Sequence, residues 1–133
     1  MRLLLIAATA CVVASSSSFA SEIDDLCVVL GNIDQYEGRN VVLRGELRTD
    51  FTHIAGITDP RCPATFLVFG PERYVESGSD ELWFAMQRMR REGGGLHLTA
   101  AGVVGPGVDV NGVTPRFVLN VHTFSDLDYV PPS

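Results

Sequence analysis

Asn40-Val41-Val42-Leu43-Arg44-Gly45-Glu46-Leu47-Arg48 is the stretch that decides the fold. Val41, Leu43, Gly45 and Leu47 point one way; Val42, Arg44, Glu46 and Arg48 point the other. This period-two alternation requires a β-strand with one face buried and one wet. Gly45, inside the strand, predicts a bulge or a sharp coil there.

Working outward, Tyr36–Asn40 reads as a turn, and Ser21–Asn32 as a short helical or turn-rich lead-in. Ile23, Leu26, Cys27 and Leu30 lie on one helical face of it, and Gly31-Asn32 supplies a stop. On the other side, Thr49–Thr52 is a loop. His53–Thr58 is a second strand, ended by Asp59-Pro60, and Ala64–Phe69 a third, ended by Gly70-Pro71. Ser79–Glu92 is a helix: Ser77 or Ser79 can cap it, and Asp80 and Glu81 suit its first turn. Leu82, Ala85, Met86 and Met89 form its apolar stripe with Trp83 beside it, and three glycines from Gly93 stop it. Leu96–Val104 and Arg116–Phe124 are strands four and five. The loop Gly105–Pro115, with Asn111-Gly112, joins them, and Ser125–Ser133 is an acidic tail.

Strand, strand, strand, helix, strand, strand is the order that resembles the OB-fold, a five-stranded Greek-key barrel with its helix between strands three and four. The resemblance covers Asn40–Phe124. It rests on that order, on the Val41–Leu47 strand with Gly45, and on the glycine-closed helix; no diagnostic motif supports it. It implies a mainly β domain with the N-terminal lead-in outside the barrel.

The N-terminus has the three-part layout of a secretion signal: Met1-Arg2, the apolar run Leu3–Val13, and Ser18-Phe19-Ala20 before a cleavage point after Ala20. The run is shorter than the roughly 20 apolar residues of a membrane span. The expected product is one domain, residues 21–133, periplasmic or secreted. The alternative is a structural envelope lipoprotein acylated at Cys11. Past Ala20 only Cys27 and Cys62 remain, and two thiols in an exported domain pair. In the barrel this bond would tie the lead-in to the end of strand two.

The chain has 133 residues and a formal net charge of −6, made more negative by loss of Arg2; every cation is arginine. That balance argues against nucleic acid and anionic membranes as partners. No nucleophile elbow, phosphate loop or dinucleotide fingerprint is present, and adjacent carboxylates such as Asp80-Glu81 sit on caps and termini. No catalytic residue and no cofactor are expected. A hairpin centred near Asp109–Val110 would place His97 opposite His122, half a metal site or a pH-sensitive pair. With no third ligand in view, both read as ordinary polar residues of a wet face. A small exported enzyme or metal-binding protein using that face is the second functional alternative.

The first expectation is a non-catalytic binding protein whose partner is a protein or glycan of the cell envelope. Its contact surface is expected on strands two and three, between the loops Arg48–Thr52 and Gly105–Pro115. Arg48, Phe51, His53 and Arg61 are the candidate contact residues, because arginine and large aromatics dominate interface energetics.

Overall fold

The computed structural model describes residues 22–51, 54–69, 80–107 and 116–133. The expected secretion signal, Cys11, His53, the expected capping serines 77 and 79, and residues 108–115 lie outside the described residues.

The molecule is mainly β. The lead-in is two short helices rather than one, α1 (Leu26–Gly31) and α2 (Ile33–Tyr36). Strands β1 (Asn40–Thr49), β2 (Ala55–Asp59) and β3 (Cys62–Phe69) follow, then helix α3 (Asp80–Glu92), β4 (Gly95–Pro106) and β5 (Phe117–Val130). The five strands form one sheet in the order β1-β2-β3-β5-β4, closed into a ring by the β1–β4 pairing. All pairings are antiparallel except the short parallel contact of β3 with β5, at Val68 with Leu119 and Phe69 with Asn120.

The alternation of β1 survives folding. Val41, Leu43, Gly45 and Leu47 are buried, while Val42, Arg44 and Glu46 are partly covered on the outer face. Of the bulge or sharp coil expected at Gly45, the bulge is absent: the β1–β4 ladder runs unbroken from Asn40 to Leu47. What demands glycine is close approach, since a Cβ there would lie 2.7 Å from the Thr58 carbonyl oxygen of β2.

Inside the ring, Leu43, Leu47, Ile57, Leu96, Leu98 and Leu119 are wholly buried. Leu82 and Met89 of α3 join this core from one side, and Leu26 and Val29 of α1 from another. α1 is capped by Asp25, whose Oδ1 accepts from Cys27 N (2.9 Å) and Val28 N (3.2 Å). It is bonded to the β2–β3 hairpin by the Cys27–Cys62 disulfide.

The largest departure from the sequence reading is in β5. The strand was expected to stop at Phe124, before an acidic tail. Instead it continues to Val130, pairing His97 with Asp128 and Gly95 with Val130. Two bulges allow this. His122 is an extra residue between the pairs Gly102–Val121 and Ala101–Thr123. Farther on, Asp126 and Leu127 both oppose Leu98, with Asp126 at φ 51°. The second bulge rephases the strand, so that Leu127 and Tyr129 pack on the core while Asp126 and Asp128 stay exposed.

Candidate binding surface

Arg48 and Phe51 come together where β1 ends. Thr49 pairs with Ala55 at the last rung of the β1–β2 ladder. The turn is held by Asp50, whose backbone N–H donates to Ile54 O (3.2 Å) and whose Oδ1 accepts from Ile54 N (2.9 Å). Phe51 N donates to Thr49 Oγ1 (2.9 Å). Phe51 itself sits at φ 61°, a left-handed conformation that costs a residue with a Cβ about 1–2 kcal/mol. The residue is 40% exposed.

Phe51 and Arg48 border a cleft of about 150 Å³ that also involves Leu47, Met89 of α3 and Gly94 after it. This is smaller than the roughly 300–1,000 Å³ of ordinary small-molecule pockets. It suits a single inserted side chain. The Arg48 guanidinium is exposed and lies 3.3 Å from Glu46, two residues back on the same outer face. An exposed pair of this kind is weak and exchangeable.

Arg61 lies at the opposite end of β2 from Phe51 and is already engaged. Its Nε contacts both Asp59 carboxylate oxygens at 3.1 Å, Nη2 donates to Asp59 Oδ2 (2.7 Å), and Nη1 donates to Asp25 Oδ2 (2.9 Å). Hydrogen bonds from Arg61 hold both carboxyls below their ordinary range, and the same bonds, first to Asp59 and then to Asp25, hold the guanidinium more firmly protonated. Beside the disulfide this forms a second fastening between α1 and the β2–β3 hairpin. The expected contact residues therefore divide. Arg48 and Phe51 share a cleft, Arg61 belongs to a clasp, and His53 lies outside the described residues.

The histidines do not face each other. His97 is flanked by Glu46 on β1 and Asp128 on β5, whereas His122 is exposed in its bulge. Among the described residues no group of three or more His, Cys, Asp or Glu side chains is arranged to hold a metal ion. The loop between Gly107 and Arg116 leaves from the far end of β4, where Asn40 pairs with Val103. Arg48 and Phe51 lie toward the other end, where Leu47 pairs with Leu96.

Two features escaped the sequence reading. Thr99, on the outer face, is a buried polar residue: Arg44 Nη1 donates to its Oγ1 (3.1 Å) and to Asp126 O (3.0 Å). This network fixes the second β5 bulge to β1. The other is the groove beside α3, between the helix and the extension of β5, which exists only because β5 passes Phe124. Comparison with protein families, curated proteins and solved structures finds no match to this chain.

Proposed function

We propose that this chain is a non-catalytic interaction protein of the bacterial periplasm or exterior. Its closed sheet is of the OB type, and its contact surface is the Arg48–Phe51 corner. The observation that carries the reading is Phe51: a large aromatic residue kept partly in solvent, in a costly backbone conformation, over a cleft sized for one side chain. Backbone strain at an exposed aromatic persists where the surrounding structure imposes it, and such positions cluster at ligand-contacting sites. Arg48 beside it supplies a charged group of the kind enriched in interface hot spots.

The barrel assignment is supported by the strand order, by the parallel β3–β5 contact and by the helix between β3 and β4. The export assignment is supported by the disulfide, which suits an oxidising compartment. Among the described residues no helix is long and apolar enough to cross a membrane. The partner is an envelope protein or glycan; the net negative charge disfavours nucleic acid.

The test is affinity capture. The full chain is expressed in a bacterium, recovered oxidised and immobilised, and an envelope extract and an envelope-glycan panel are passed over it. The expected result is one retained component that is lost when Arg48→Ala and Phe51→Ala are combined without change in melting temperature. Equal retention by that folded double variant would place the contact surface elsewhere.

A further inference from the structure

The groove beside α3 shares no lining residue with the Arg48–Phe51 cleft and is larger. It measures about 520 Å³ and is open to solvent. Ala85, Leu96 and Leu127 give it apolar lining, and Phe84 and Tyr129 border it. Phe84 is 63% exposed, the most exposed large apolar side chain among the described residues, and is braced edge-on by Trp83 at 5.1 Å. Glu81 and Arg88 also line the groove, seven residues apart on the helix.

Arg88 is positioned in advance. Its guanidinium sits 4.0 Å from the Tyr129 ring centroid, and the Tyr129 hydroxyl is itself fixed by donating to Gly93 O at 2.5 Å. Only Nε of Arg88 is engaged by a described residue, Glu92 at 2.9 Å. Among the described residues its two terminal nitrogens make no hydrogen bond, which leaves them to meet a carboxylate in a forked, charge-assisted contact. Arg91 lies beyond the groove's lining, one turn on from Arg88; it is exposed and has no ion-pair partner among the described residues. Arg88, Arg90 and Arg91 put three of the chain's ten cations within four residues, on a molecule whose net charge is −6.

We propose that this groove docks an acidic peptide segment of a partner protein, an apolar side chain entering beside Phe84 and a carboxylate meeting Arg88 and Arg91. Glu81 repels a carboxylate at the other end and so sets the direction of the peptide. Seven residues of helix span about 10.5 Å, the length of about three extended residues. The apolar and acidic positions of the ligand are therefore adjacent or nearly so. An open groove suits a peptide better than a small molecule, which needs most of its surface covered. An anionic bilayer fits poorly: Asp80, Glu81 and Glu92 share the helix with the arginines, and Asp126 and Asp128 lie on the adjoining strand. Over an extended surface these carboxylates would be repelled together, whereas a short peptide can hold its carboxylate at the Arg88 end of the groove, away from Glu81.

Trp83 is the chain's single tryptophan and touches Phe84, so the unlabelled protein carries its own reporter. The full oxidised chain is titrated with a blocked peptide of core Leu-Phe-Asp-Asp, with its Leu-Phe-Lys-Lys counterpart, and with phosphatidylglycerol-rich vesicles. The expected result is a saturable change in Trp83 emission with the acidic peptide alone. Affinity should fall as salt is raised and weaken about tenfold when Arg88→Gln and Arg91→Gln are combined. Because Arg88 also packs on Tyr129, Arg91→Glu is tested by itself. It should keep the melting temperature and still weaken the acidic peptide. Equal response to both peptides, no response to the acidic one, or unchanged affinity in the folded Arg91→Glu variant overturns the proposal. A response to vesicles without one to the acidic peptide overturns it in favour of a lipid surface.

Discussion

Arg61 joins Asp59 on its own hairpin to Asp25 at the cap of α1, and its hydrogen bonds depress both carboxyl pKa values below the ordinary 3.8. A carboxylate whose folded-state pKa is lowered contributes stability that is fully present above its unfolded-state value. That contribution is lost as pH falls through the folded-state value. The clasp should therefore weaken below about pH 4. We predict that the melting temperature of the native chain falls more steeply between about pH 5 and pH 2 than that of Arg61→Gln. The groups are exposed, so the difference should be small and should shrink in high salt. Phe51 supports a second prediction at this scale. Its φ of 61° penalises any Cβ, so Phe51→Gly should be more stable than Phe51→Ala by about 1 kcal/mol in urea unfolding, reversing the usual order of these residues. Neither effect is legible in the local sequence. Arg61 is two residues from Asp59 but 36 from Asp25, and the left-handed turn at Phe51 carries no glycine to announce it.

Among the elements, α1 has little stability of its own. It is six residues long and relies on Leu26 and Val29 in the core, the Asp25 cap and the disulfide. The cysteines are 35 residues apart, and the chain-entropy account gives about 3–4 kcal/mol for closing such a loop. Replacing both with serine should lower the unfolding free energy by about that amount. Amide exchange in α1 and the β2–β3 hairpin should rise before exchange in the β4–β5 ladder. That ladder shows how far an element can be read. The alternation of β4 predicts its inner face: Leu96, Leu98, Ala100 and Gly102 are buried together. The register differs from the one that alternation suggests. Its inner pairs, from Gly102–Val121 to Pro106–Phe117, have their midpoint between residues 111 and 112, not at 109–110. Asn111-Gly112, a strong hairpin dipeptide, was the available signal. The two bulges then move His97 opposite Asp128, because each adds a residue to β5 alone. A bulge leaves no periodic trace, and the polar residues Ser125, Asp126 and Asp128 made its far side look like a tail.

At the scale of the whole molecule, the disulfide and the N-terminal segment bear on the same property, the compartment. Expressed with residues 1–20, the chain should be recovered from the periplasm beginning at Ser21, as read by N-terminal sequencing. It should also resist alkylation at Cys27 and Cys62 unless first reduced. Recovery from the cytoplasm with Met1 intact would refute the export assignment. The mainly β class, five strands with a helix before the last two, and the cysteine pair were all open to reading in the sequence. Alternation, glycine and proline breaks, and a pair of thiols are local properties that the chain displays before it folds.

The tertiary structure decided what those properties do together. Closure of the sheet brings Arg48, Phe51, Met89 and Gly94 to one cleft and consumes Arg61 in a clasp. The continued β5 supplies Leu127 and Tyr129 to a groove whose other wall is α3. These sites are made of residues up to 48 positions apart, joined only by register and packing. A period in the sequence specifies which face of a strand is apolar. Which strand lies beside it, and with what offset, depends on turns and bulges that shift pairing by one residue without altering composition.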